Sequence, residues 1–326
     1  MEFEAEVLDG LAPFARDEIL DLGGAVHSHQ PTAIRFTYAA SIRHLLGLRT
    51  VVAVYAVGRY AVPRPRALLG EQHLRAMVAR IDEVRLLAAF SSFRFSAAGR
   101  DSAVFARLAA AVAQRTGLDH DPDDGELLLR VYPVAEGWEV LYRLTPRPLS
   151  ARTWRARDRR GALNATIAAS MVRLLGAEPA DRFLNLACGT GTLLIERAAA
   201  GPAAALAGID IDAGALDDAA ANGAKGLVRG DATAMPFPPA SFDVLATDLP
   251  YGTTMGSPAE NELLYPAALA EAARVATVGA RFAVITHDLR RMESVLRASD
   301  AWEVARELQV FQKGHHPKIW LLHRRP

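Results

Sequence analysis

The sequence predicts an α/β chain. Its C-terminal half reads as a mostly parallel, seven-stranded, doubly wound sheet, preceded by two smaller α+β units. Three observations carry that reading. From residue 161 onward, strand-like and helix-like segments alternate regularly. A glycine-bearing turn, Cys188-Gly189-Thr190-Gly191, follows the first of those strands. The composition changes abruptly at 143–160, where seven arginines face one acid, Asp158.

The chain has 326 residues, enough for two or three domains with real cores. Hydrophobic residues make up 51% and charged residues 23%, which excludes disordered and collagen-like architectures. Lys+Arg and Asp+Glu are both 37, so the formal net charge is zero. That excludes a uniformly polycationic coat but not a local basic patch. One cysteine, Cys188, makes neither an intrachain disulfide nor a cysteine zinc site, and no metal is expected. There is no apolar run of about 18 residues, so no membrane span is expected. The acidic start lacks the order of a signal peptide, which predicts a cytoplasmic protein. Of the basic residues, Lys225, Lys313 and Lys318 are the only lysines. Genomic base bias accounts for such an arginine excess, and arginine also suits bidentate phosphate contact.

In the N-terminal unit, 1–62, strands are expected at 3–8, 33–37 and 50–57, with helices at 12–22 and near 39–47. Pro63 and Pro65 mark a hinge into the second unit, 63–145. There a helix is expected at 71–80, a strand at 92–96, a helix at 102–116 and a hairpin at 126–133 and 138–144. Phe90, Phe93 and Phe95 read as core. Residues 146–160 form an expected arginine-rich linker, stiffened by Pro146 and Pro148. Either it is a solvated connector, or its guanidinium groups meet nucleic-acid phosphates. In the last unit, 161–326, helices are expected at 161–175, 191–200, 213–223, 259–276 and 288–298. Strands are expected at 182–187, 205–211, 226–229, 242–248 and 281–286, with a closing hairpin at 302–312 and 317–323.

Ligands in doubly wound sheets bind at the carboxyl ends of the strands. The first strand there runs into Asn185, Ala187, Cys188, Gly189, Gly191 and Thr192. Glycines in this loop let the backbone turn tightly and approach a ligand. The second strand ends Asp210-Ile211, with an acid placed for a ribose diol, and the third leads to Asp231-Ala232. The third glycine of a dinucleotide fingerprint is missing, because residue 194 is leucine. The three loops fit S-adenosylmethionine better than NAD or a bare structural turn. Cys188 reads as a small buried residue of that loop rather than a nucleophile.

The fourth strand ends Asp248-Leu249-Pro250-Tyr251-Gly252. This set suits methylation of an exocyclic amine, a poor nucleophile whose lone pair is delocalised into the base. Acceptors aimed at its two N–H bonds free that lone pair. The Asp248 carboxylate and the Leu249 carbonyl are the candidate acceptors, and Tyr251 the candidate stacking plane. Asp248 also borders the cofactor loops.

With these residues in view, the chain resembles the THUMP-domain RNA guanine-N2 methyltransferases, tRNA branch. Residues 92–143 look like the end of a THUMP domain. Residues 146–155 look like the family's linker, Cys188–Thr192 with Ile195-Glu196 like its cofactor motif, and 248–252 like its N/D-P-P-Y/F-G motif. The resemblance implies a ferredoxin-like domain, a THUMP domain and a C-terminal Rossmann-like methyltransferase domain. It also implies a tRNA partner, held in part by Arg147, Arg152, Trp154, Arg155 and Arg157, with one guanosine flipped into the site. Two positions depart from the family. Asn185 stands where an acid is common, and Leu249 replaces the motif's first proline, losing its ring restriction of φ, about 0.4–1 kcal/mol.

Other readings stay open at this level. The same chemistry serves ribosomal RNA guanine, DNA adenine or a protein glutamine, and a catalytically silent RNA-binding protein is a further alternative. A monomer is favoured. Asp288 reads as a helix N-cap, and His315-His316, with Lys313 and Lys318, as a solvated turn.

Overall fold

The computed structural model describes residues 1–250, 258–311, 314 and 316–326, with the side chains of 258–260 left aside. The chain divides into two units. One holds Met1–Val7 with Ala15–Ala151, and the other holds Leu8–Phe14 with Arg152–Pro326.

The first unit is built on an eight-stranded sheet. Its strands are β1 (Glu2–Glu6), β2 (Ala25–Gln30), β3 (Ala33–Thr37), β4 (Ala53–Tyr60), β5 (Ser92–Ala97), β6 (Asp119–His120), β7 (Leu127–Val134) and β8 (Gly137–Arg143). Their order is β2-β3-β1-β4-β8-β7-β5-β6. Helix α1 (Ala12–Asp21) accompanies them from Ala15 onward, with α2 (Glu71–Arg85) and α3 (Ala103–Thr116). In α2 the buried residues Leu74, Met77, Ile81 and Val84 recur at helical spacing and form one apolar stripe. Phe90, Phe93 and Phe95 are buried, as expected.

Three features differ from the sequence reading. The expected boundary at 62/63 falls inside one continuous sheet, because β4 pairs antiparallel with β8. Strand β2 was not foreseen: it sits at the sheet edge beside β3 and is largely exposed, so it carries no apolar alternation. The expected helix near 39–47 is a short 3-10 segment, Ile42–Gly47.

The second unit carries the seven-stranded sheet. Its elements are α4 (Ala165–Leu175), β9 (Arg182–Leu186), α5 (Thr192–Ala199), β10 (Ala205–Asp210), α6 (Ala213–Ala221), β11 (Leu227–Arg229), β12 (Phe242–Asp248), α7 (Pro258–Val275), β13 (Ala276–Thr286), α8 (Leu289–Ala298), β14 (Trp302–Gln309) and β15 (Lys318–Arg324). The order is β11-β10-β9-β12-β13-β15-β14. The first five strands are parallel, and β15 pairs antiparallel with β13 and with β14. One core cluster holds Leu245, Tyr265, Phe282, Trp302 and Trp320, and another holds Met171, Phe183, Val244 and Ile319. Helix α4 starts four residues later than expected, where the Asn164 side chain accepts from the amides of Thr166 and Ile167. Asp288 accepts from the Arg291 amide at the start of α8, the N-cap role expected of it.

Residues 146–160 are not a free connector. Residues up to Ala151 belong to the first unit, where the Ser150 amide donates to the Val52 carbonyl, and Arg152 onward belongs to the second. Among the described residues no helix is long and apolar enough to cross a membrane.

Candidate active site

The sheet order reverses between β9 and β12: the chain leaves β9 toward β10 and β11 on one side, and later fills β12 and β13 on the other. Such a switch point opens a crevice at the carboxyl ends of the strands. A cavity of about 390 Å³ lies there. Thr247 pairs with Leu186, so the end of β12 lies directly beside the cofactor loop that follows β9. Two motifs some sixty residues apart in sequence thus share one cavity.

The predicted cofactor residues Asn185, Ala187, Cys188, Gly189, Thr192, Asp210, Ile211, Asp231, Ala232 and Asp248 all line this cavity. Gly191 does not. It turns the chain beneath the loop at φ 79°, and a Cβ there would lie 2.9 Å from that of Ala224. Gly189 also has positive φ, 52°, and Ala187 adopts φ 45°, a costly conformation for a residue with a side chain.

The loop is held from several directions. Asp210 Oδ2 accepts from the Gly189 amide at 2.7 Å, and Oδ1 from the Asp212 amide at 2.9 Å. The carboxylate is therefore fixed at the end of β10. Beside it Ile211 is 65% exposed, an unusual amount of bare apolar surface at a cavity wall. Asp231 Oδ1 accepts from the amide and the hydroxyl of Thr233. Cys188 is buried, and burial, with the nearby Asp210 charge, pushes its thiol up to about 12. It is a packing residue and not a nucleophile, as the sequence reading held.

Asn185 is the most informative of the set. Its Nδ2 donates to the carbonyls of Leu186 and Ala246, both at 3.1 Å, which fixes the amide's orientation. Its Oδ1 is left buried without a partner. A buried acceptor of this kind is costly unless a ligand donates to it. The methionine ammonium of S-adenosylmethionine is such a donor, the Asp210 carboxylate suits its ribose diol, and Ile211 offers an apolar face to its adenine. The residues present fit that cofactor.

Asp248 lies at the end of β12 and lines the cavity, half-buried. Burial pushes its carboxyl up to about 7, and no cation or donor among the described residues offsets that cost. Leu249 is buried, and its amide donates to the Ile285 carbonyl at 3.0 Å, extending the β12–β13 ladder by one bond. Proline could not make that bond. The restriction lost with the ring is thus replaced by a hydrogen bond that only a non-proline residue allows. The Pro250 carbonyl already accepts from Asn261 Nδ2 at 2.9 Å and from the Tyr265 hydroxyl at 2.6 Å, which leaves it no role as a substrate acceptor. Tyr251 and Gly252 lie outside the described residues, as do Lys313 and His315.

The arginines of the linker need a correction. Arg152 was expected to meet RNA phosphates, yet it is only 8% exposed and its Nε donates to Glu196 at 2.8 Å. Arg155, placed with it, donates to Asp158, to the Leu163 carbonyl and to Thr192 Oγ1, and its guanidinium lies over the Trp154 ring. Trp154 is thereby stacked within the protein. Arg159 bridges Asp212 and Asp218. Counting charge along the chain could not reveal Glu196, Thr192, Asp212 and Asp218, which lie some forty to sixty residues away from their arginines. Arg147 and Arg157 are exposed, and so is Arg160, which lines the cavity and was not singled out from sequence. Leu264 and Ala268, four residues apart on α7, complete the cavity wall. The sequence placed their helix but not its inward face.

Comparison with known proteins adds to this geometry. The match to "tRNA (guanine(6)-N(2))-methyltransferase THUMP3" from Bos taurus is 29% identical over 191 residues, half of this chain and 36% of that protein. That to "tRNA (guanine(6)-N2)-methyltransferase" from Thermus thermophilus is 30% identical over 189 residues, 55% of each chain. The chain thus spans about a third to just over half of the curated relatives it matches. The crystal structure of TrmN from Thermus thermophilus superposes over 99% of both chains with a TM-score of 0.76 at 24% identity, so the two share a fold. The family described as RMKL-like, methyltransferase domain, matches residues 152–318, the stretch that carries the cavity, both of its motifs and half of the chain; the chain belongs to that family.

Proposed function

We propose that the chain is an S-adenosylmethionine-dependent tRNA methyltransferase that acts on the exocyclic N2 amine of a guanosine, as a cytoplasmic monomer. The observation that carries this is the placement of Asp248 in the same cavity as the orphaned Asn185 acceptor. A substrate-side carboxylate and a cofactor-side acceptor face one space. The names of the two curated relatives support tRNA guanine as the substrate.

Bound S-adenosylmethionine supplies an electrophilic methyl group on a sulfonium. Asn185, Asp210, Ile211, Asp231 and Ala232 would hold that cofactor. On the substrate side, the Asp248 carboxylate and the Leu249 carbonyl accept the two N–H bonds of the amine. Both acceptors favour a pyramidal nitrogen with a localised lone pair, and they orient it. Once methylated, the nitrogen bears an excess proton, and Asp248 is the adjacent base. A carboxyl near 7 suits that role, because it both accepts and releases a proton close to neutral pH. The target base must leave its stack, since a stacked amine cannot be reached in line. Arg147, Arg157 and Arg160 are the linker arginines exposed for phosphate.

Nucleoside mass spectrometry of tRNA from a deletion strain, compared with wild type, tests the reading. Loss of N2-methylguanosine at one position is expected. An unchanged tRNA profile from cells that express the gene would sink the tRNA assignment, and a loss in ribosomal RNA instead would redirect it. Failure to bind S-adenosylmethionine at cellular concentrations would count against methyl transfer altogether.

A further inference from the structure

We propose that Asn261, Tyr265 and Thr286 form a buried brace that fixes the Pro250 carbonyl and thereby positions Asp248 and Leu249. The inference rests on the methyl-transfer reading above for its purpose, but its geometry stands apart from that reading.

All three side chains are shut from solvent. Asn261 and Tyr265 lie four residues apart on α7, so they share one face of the helix. Both donate to the same oxygen, the Pro250 carbonyl. Tyr265 Oη also lies 2.6 Å from Thr286 Oγ1. A proton count then settles the direction of that bond. The one Tyr265 hydroxyl proton is spent on Pro250, so the Thr286 hydroxyl donates to Tyr265. Thr286 Oγ1 in turn accepts from the Asp288 amide at 3.1 Å. The chain of donors runs from the Asp288 amide through Thr286 and Tyr265 to Pro250, with Asn261 joining at the end.

The segment is pinned from its other edge as well, by the Leu249 amide on the Ile285 carbonyl. Ile285 directly precedes Thr286, so β13 anchors both restraints. Where a second proline would stiffen the motif through its ring, this chain keeps a free φ at Leu249 and restrains it by hydrogen bonds. The brace also explains a division of labour. With both lone pairs of the Pro250 carbonyl occupied, substrate recognition is left to the Asp248 carboxylate and the Leu249 carbonyl. Asn261, Tyr265 and Thr286 are therefore positioning residues and do not touch the substrate.

The test uses the full-length chain with Tyr265→Phe, Thr286→Val and Thr286→Ser, each read in two ways. The Leu249 amide should exchange about tenfold faster in Tyr265→Phe and Thr286→Val, and near the wild-type rate in Thr286→Ser, which keeps the hydroxyl. On tRNA, kcat should fall about tenfold in the first two variants, with KM and the S-adenosylmethionine Kd within about twofold. The double variant Tyr265→Phe/Thr286→Val should be little worse than either alone, because one chain of bonds is being cut twice. Unchanged exchange at Leu249 overturns the brace, and so does unchanged kcat in an active enzyme. Should the wild-type chain transfer no methyl group to RNA, the functional reading fails separately, and the exchange measurement still decides the brace. If Tyr265→Phe does not fold, the Thr286→Val and Thr286→Ser pair carries the comparison.

Discussion

Arg152 Nε donates to Glu196 Oε1 at 2.8 Å, and both side chains are almost wholly withdrawn from solvent. This pair ties the entry of the methyltransferase unit to the helix that follows the glycine loop. Removing one partner of a buried pair strands the other charge, typically at a cost of about 3–5 kcal/mol. Arg152→Ala should therefore lower the thermal midpoint markedly. Its effect on RNA binding, measured on the folded fraction, should show no change in salt slope. A lowered slope with an unchanged midpoint would restore Arg152 as a phosphate contact.

On the proposed reading, phosphate contact falls to the exposed guanidinium groups instead. Arg157→Ala combined with Arg160→Ala should weaken tRNA binding and lower the slope of log K against log salt by about 1–2, as expected for two lost phosphate contacts. The thermal midpoint should stay within the small range of surface substitutions. Filter binding across a salt series checks both parts. An unchanged slope would mean that these two arginines do not meet the RNA.

Asp248 should govern the pH dependence of transfer. Its carboxyl is pushed up to about 7 from an ordinary 3.8, so the accepting form is lost as pH falls through neutrality. The rate should drop below about pH 7 and level off above it. Asp248→Ala should abolish transfer with little change in cofactor Kd. Asp248→Asn keeps an acceptor without a titration, so any activity it retains should lack the step near neutral pH.

The same shift makes a stability prediction with a definite sign. A carboxyl raised on folding stabilises the protein fully below its unfolded value and loses that contribution as pH rises through the folded value. Ionised Asp248 therefore costs stability above about pH 7, by at most roughly 4 kcal/mol. Asp248→Asn should melt higher than wild type at pH 8, and the difference should vanish toward pH 4. An equal difference at both pH values would contradict the buried, uncompensated carboxylate.

Asn185 allows a test of why an amide, and not an acid, stands at this position. Its Nδ2 donates to two buried carbonyls, so Asn185→Asp would set a charge against the oxygens of Leu186 and Ala246. The loss should be about 1–3 kcal/mol near neutral pH and should shrink as the new carboxyl protonates on acidification. Paired melting curves across pH check this. A variant more stable than wild type at pH 8 would show that the loop accommodates an acid at this position.

The sequence by itself determined what is local and periodic. The strand and helix alternation after residue 161, the glycine loop at 188–191 and the acids closing successive strands are all short-range patterns, and the structure assembles them at one switch point. A helix at 71–80 was likewise legible, five residues short of the end of α2, and so was Asp288 as a cap. Strand β2 escaped because an exposed edge strand needs no apolar alternation. The tertiary structure alone decided how the polar groups are spent. Arg152 and Arg155 face inward because Glu196 and Thr192 arrive from some forty residues away. Pro250 is held by Asn261 and Tyr265 of α7, and Tyr265 by Thr286 of β13, a set that the packing of α7 on β13 brings together. The Asp248 carboxyl is pushed up to about 7 because folding desolvates it and no cation among the described residues offsets that cost. Charge and hydrogen-bond potential can be counted along a chain, but their partners are fixed only when distant segments meet.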